Sequence, residues 1–246
     1  MAETELFPNP PITESVLEII VRLPDEIDIN ALKNAHSDLK DRFPEIAELR
    51  TITASFKLGK DPSILPPTGA LVGYHFKSPP HRKLMQCRLN GFAFNKLKPY
   101  QNWKDFSSEA RELWDFYRKR TNPIKITRIS LRYINRIEIP FPFDDFREYI
   151  LMSPIIPPNL PQGVSQFFIR LEIPKDDLAA KAIITQTMEL PTKEKKLPLI
   201  LDIDVIRESE YIRNMDQIWV DFESLRSFKN EIFFNSITEK TKELFR

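Results

Sequence analysis

Arg128-Ile-Ser-Leu-Arg-Tyr-Ile-Asn-Arg-Ile-Glu-Ile139, closed by Pro140, is the stretch from which the fold of this 246-residue chain is read. Its odd positions are Ile129, Leu131, Tyr133, Ile137 and Ile139, with Asn135 the one polar member. Its even positions are Arg128, Ser130, Arg132, Ile134, Arg136 and Glu138. Strict alternation over so many residues marks a strand with one buried and one open face, as antiparallel sheets carry when helices cover one side. At a rise of ~3.3 Å per residue, the three arginines stand about 13 Å apart along the open side.

The same pattern spreads in both directions. Upstream, Trp103 to Arg120 predicts a helix with the stripe Trp103, Phe106, Ala110, Leu113, Trp114 and Tyr117, closed by Asn122-Pro123. Before it come the strands Thr51–Leu58, Ala70–Lys77 and Lys83–Asn95, a helix over Asp28–Phe43 with Asp28 as its N-cap, and a first strand Ser15–Leu23 ending at Pro24. Downstream, Phe143–Met152 reads as a short helix and Ser153–Gly163 as a Pro-rich connector. The strands Gln166–Ile173, Lys181–Leu190 and Leu199–Arg207 follow. A helical region then runs from Asp216, with Leu225, Phe228, Ile232, Phe233, Ile237 and Leu244 on one stripe and Ser236 with Glu239 as a capping box. Each half thus reads β-α-β-β-β-α. The expected fold is α+β: a single domain, 1–246, built of two pseudo-repeats (about 12–122 and 126–246) that share one large antiparallel sheet with helices on one face.

Composition narrows the function classes. Lys and Arg number 36 against 35 Asp and Glu, a formal net charge of +1, which argues against binding nucleic acid through bulk charge. Five scattered glycines exclude a dinucleotide fingerprint and a phosphate-binding P-loop. The single cysteine, Cys87, excludes an intrachain disulfide and a multi-cysteine zinc site, and fits a reducing, cytoplasmic setting. Met1 to Asn9 lacks the features of a signal peptide, and no apolar run reaches the ~20 residues that span a bilayer, so no membrane partner is expected.

Strand parity assembles a candidate ligand-binding face from Arg128, Arg132 and Arg136 with Glu18, Arg88 and Asn90 beside them. Arg22, Gln86, Arg170, Glu172, Asp202 and Asp204 fall on the same side. Guanidiniums in such a row grip phosphate or carboxylate through paired hydrogen bonds, whereas a merely solvated face would satisfy them with cross-strand carboxylates. Asn135 breaks the apolar side and is expected to staple a loop or helix end. His36, His75 and His81 have no metal-ligand spacing, and Cys87 reads as a buried, inert thiol. No catalytic residue, metal site or cofactor is assigned.

Pro10-Pro11-Ile12-Thr13-Glu14, just before the first strand, and Arg128 to Ile137 resemble the two signature motifs of a sporadically distributed prokaryotic family of uncharacterised proteins. Trp114 and its helix also sit where that family has them, so the resemblance spans nearly the whole chain. It implies a bacterial or archaeal, soluble, cytoplasmic protein and no established activity. Scattered occurrence implies conflict systems such as phage defence or toxin–antitoxin pairs. Pro11, Glu14, Asn135 and Trp114 become structural motif residues on this reading, with Glu14 paired to Arg128 or Arg132 across the halves.

The expected function is a non-enzymatic ligand- or partner-binding, regulatory module whose partner is a small molecule, a nucleotide or a protein. The alternative is a metal-dependent hydrolase or nuclease using Asp202, Asp204 and Glu172. A third reading is nucleic-acid binding along Arg128, Arg132 and Arg136. Self-association through a sheet edge or the C-terminal helix is a further expectation.

Overall fold

In the computed structural model, which describes residues 5–53, 56–57, 63–64, 68–79, 82–212 and 214–246, the decisive stretch lies in a sixteen-residue strand near the middle of a nine-stranded antiparallel sheet. The first part of the chain forms β1 (Ile12–Arg22), α1 (Ile29–Ala35), β2 (Glu45–Thr53), the two-residue strands β3 (Phe56–Lys57) and β4 (Ser63–Ile64), β5 (Thr68–Lys77), β6 (Lys83–Arg88), β7 (Gly91–Leu97) and α2 (Trp103–Thr121). The second part forms β8 (Lys125–Pro140), β9 (Phe168–Lys175), β10 (Ala180–Met188), β11 (Lys196–Tyr211), α3 (Gln217–Ser236) and α4 (Glu239–Glu243). The sheet order is β2-β5-β6-β7-β1-β8-β11-β10-β9, and β3 pairs only with β4. Outward from the central β1–β8 pair, each side begins with the strand that precedes its long helix, β7 or β11.

Burial follows the alternation. Leu17, Ile19, Ile129, Leu131, Ile203 and Val205 are wholly buried on the helix side, each contributing roughly 1.5–3 kcal/mol of transfer free energy. The helices all lie on that side. Phe92 meets Trp114, Phe94 stacks on Phe106, His36 lies against Phe76, and α3 packs over β8 and β11. The stripe on α2 is buried throughout, and Asn122 ends the helix in a left-handed conformation (φ 41°). Asp28 caps α1, accepting from the Ala31 amide at 2.9 Å.

Several expected boundaries shift. Lys83–Asn95 is a hairpin rather than one strand: β6 and β7 turn at Leu89-Asn90, and Asn90-Gly91 is the turn signal in the sequence. The first half therefore gives the nine-stranded sheet one strand more than β-α-β-β-β-α allows, besides the separate β3–β4 pair. The α1 region tightens into a 3₁₀ turn at His36–Leu39, and Phe143–Met152 holds only a 3₁₀ turn, Phe146–Glu148. Thr238, not Ser236, caps α4, its hydroxyl accepting from the Thr241 amide, while Ser236 closes on its own helix at Ile232. Phe245 takes the buried place expected of Leu244. Leu58, Gly59 and His81 lie outside the described residues. Among the described residues, no helix is long and apolar enough to cross a membrane.

Candidate functional site

Asn90 apart, the open face carries the candidate binding residues that strand parity placed there, and its central arginines are paired with carboxylates. Glu18 of β1 accepts from Arg88 of β6 at 2.6 Å and from Arg128 of β8, so one carboxylate ties three strands together. Arg132 grips Asp202 of β11 with Nε and Nη2 at 2.8 and 2.6 Å. Arg136 bonds Glu138 and Glu189. Burial raises the Glu18 carboxyl, but Arg88 and Arg128 outweigh it and hold it below the usual range. Cross-strand pairing of this kind is the solvated-face arrangement, and it leaves none of the three arginines without a carboxylate.

One carboxyl in this cluster is left over. Asp204 stands directly opposite Arg132 in the ladder, yet Arg132 gives both its arms to Asp202. Its Oδ1 is buried without a hydrogen-bond partner among the described residues. Burial, opposed by Arg132 and reinforced by Asp202 and Glu18, pushes it up to about 6. Glu172, the third carboxylate of the metal reading, lies on edge strand β9 and bonds Lys181 at 3.0 Å. Among the described residues, no group of three or more His, Cys, Asp or Glu side chains is placed to hold a metal ion.

Other candidates move. Asn90 sits exposed in the β6–β7 turn, where its carbonyl accepts from Val21, and not on the strand face. Glu14 forms no direct ion pair with Arg128 or Arg132 among the described residues, although its charge still acts on Arg132; it accepts from Asn95 at 2.6 Å, and Glu18 makes the direct bridge to Arg128. Asn135 is 2% exposed and donates to the Leu201 carbonyl at 3.0 Å, a staple onto β11. Trp114 is core. Burial pushes the Cys87 thiol far up, and His36 is held by the Phe43 carbonyl at 2.6 Å.

The Pro10–Glu14 and Arg128–Ile137 segments do meet, and they line a cleft on the helix side. Pro10, Pro11 and Ile12 line a cleft with Tyr133 and Asn135 of β8, and the Pro11 carbonyl accepts from the Arg136 amide at 2.8 Å. The cleft encloses a cavity of about 90 Å³ that opens to solvent, and its remaining walls are Glu5 to Phe7, the start of α2 and the face of α3. Lys229 of α3 lies in it, 9% exposed, with its ammonium 4.0 Å from the centre of the Tyr133 ring. No carboxylate pairs with it among the described residues. Burial, together with Arg226, pulls this amine down to about 7.

Around it, the Tyr100 and Tyr133 hydroxyls share a 2.9 Å hydrogen bond, and burial pushes Tyr100 up to about 12, so both stay neutral donors and acceptors. Trp103 Nε1 donates to Glu223 at 2.5 Å, and Arg226 is held by the same carboxylate at 3.3 Å. Lys229 is a residue that the apolar stripe of α3 does not by itself point to. It falls at i+4 from Leu225 and i−4 from Phe233, a cation inside the buried stripe, and that spacing was the available signal.

No protein-family model matches the chain, and no curated protein matches it.

Proposed function

We propose that the protein is a non-enzymatic, cytoplasmic ligand-binding module with a regulatory role, and that its site is the cleft between the Pro10–Ile12 segment, Tyr133 and α3. The ligand class is a small organic anion, a carboxylate or phosphate on a flat apolar body. The observation that carries this reading is the buried Lys229 ammonium, set over the Tyr133 ring with no ion-pair partner among the described residues. A buried cation without a partner is costly, and a bound oxyanion would supply the missing charge while rings such as Trp103 and Phe233 take the apolar body. The matched winding on either side of β1–β8 further supports a duplicated ancestor for the two halves.

Titration calorimetry with aromatic carboxylates and nucleoside monophosphates tests the site. Saturable binding is expected, weakened at least tenfold in Lys229→Met and unchanged in Arg132→Gln. Absence of binding, or loss in Arg132→Gln with Lys229→Met unaffected, would remove the cleft from consideration. The hydrolase and nucleic-acid readings gain no specific support, because Asp202 is occupied by Arg132 and the arginine row is already paired.

A further inference from the structure

The strand β9 ends one side of the sheet, and its outer edge offers backbone N–H and C=O groups to whatever can pair with them. Of its eight residues only Ile169 and Lys175 are not exposed. Ile169, Leu171 and Ile173 point to the helix side, yet α3 packs over β8 and β11 and leaves Leu171 and Ile173 each 40% exposed. On the open side stand Arg170 and Glu172. Arg170 has no ion-pair partner among the described residues, while Glu172 is held only by the half-exposed Lys181.

We infer that the occupant of this edge is a second copy of the chain, paired antiparallel through β9 about a twofold axis at Leu171. Among axes at the strand's central residues, 170 to 172, charge selects that register. Residues directly opposite in an antiparallel pair share a sheet face, so the axis must pass through a residue for the two sheets to continue with helices on one side. An axis at Arg170 sets Arg170 against Arg170, and one at Glu172 sets Glu172 against Glu172; both are like-charge contacts. An axis at Leu171 sets Arg170 against Glu172 twice, Ile169 against Ile173 twice, and Leu171 against itself. Pro174 then falls opposite Phe168 at the end of the paired stretch, where its missing N–H interrupts nothing further in. The interface is isologous and closes after two copies.

The full chain in sedimentation velocity is expected to run at twice the chain mass, with a concentration-dependent return to monomer on dilution. Arg170→Glu and Glu172→Arg each create two like-charge pairs across the axis, and each is expected to weaken association at least tenfold. Mixed together, the same two variants restore complementary pairs and are expected to form a heterodimer. Amides of residues 169–173 in the wild type should gain hydrogen-exchange protection as concentration rises. A wild type that stays monomeric, a dimer indifferent to both substitutions, or variants that dissociate yet fail to pair with each other would each overturn the inference. Exchange at 169–173 that ignores concentration would overturn it as well, whatever the variants do.

Discussion

Lys229 and Asp204 are ionisable groups held away from their ordinary ranges by burial, and their pH signatures run in opposite directions. For Lys229 the folded value of about 7 lies below the unfolded one, so between about pH 7 and 10.4 the unfolded chain binds more protons. Stability therefore rises with pH across that window, and the penalty is full below it. Lys229→Met is expected to stabilise the fold by about 2–4 kcal/mol near pH 7, a gain that fades towards pH 10 in chemical denaturation. Under the proposed function, affinity for an organic anion falls above about pH 7 as the free amine loses its proton, which calorimetry across pH reads directly.

Asp204 has its folded value raised to about 6, so its contribution is fully present below the unfolded value and is lost as pH rises through 6. Asp204→Asn should stabilise by on the order of 2 kcal/mol at pH 7 and make no difference near pH 3, when melts of the two proteins are compared.

At the scale of elements, the turn and the bridge around β1 carry the sharpest expectations. Gly91 opens β7 hard against β1: a Cβ there would lie 2.5 Å from the Ile19 carbonyl oxygen and 3.1 Å from Ile20 Cα. Both obstacles are backbone, so Gly91→Ala is expected to cost about 1–3 kcal/mol by forcing the strands apart, read as a lowered denaturation midpoint with unchanged slope. Glu18→Gln removes the charge that Arg88 and Arg128 share and leaves both partly buried guanidiniums short of a partner, at a cost of about 1–3 kcal/mol near neutral pH. Because the Glu18 carboxyl is depressed, that difference should shrink as pH falls below the ordinary carboxylate range.

These elements also mark how far local reading reached. The faces of β1, β8 and β11 were legible because alternation is a property of the strand alone. The β6–β7 turn is legible too, in Asn90-Gly91, although the strand-like residues on either side also read as one continuous strand. The partner of Glu14 was not, since Asn95 and Arg132 are equally polar in sequence and only register chooses between them.

For the molecule as a whole, the sheet is strongest where its longest strands meet. The central strands β1, β8 and β11 have neighbours on both edges and burial beneath them, whereas β2 and β9 each have a strand neighbour on one edge alone among the described residues. Native-state hydrogen exchange is expected to rank them accordingly, with β8 amides opening only through global unfolding and β2 first to exchange; equal protection across the sheet would contradict this order.

By itself the sequence determined the class of fold, the helix-facing and open sides of the strands, the α2 stripe and the α1 cap, because periodicity and capping are settled by neighbours within a few residues. Only the tertiary structure decided that the arginine row is spent on carboxylates, that Asp204 keeps a buried oxygen without a partner among the described residues, and that the Pro10–Ile12 segment and β8 meet beside Lys229. Those outcomes depend on which strands lie side by side and in what register, and that is set by the packing of the whole sheet against its helices rather than by any one segment.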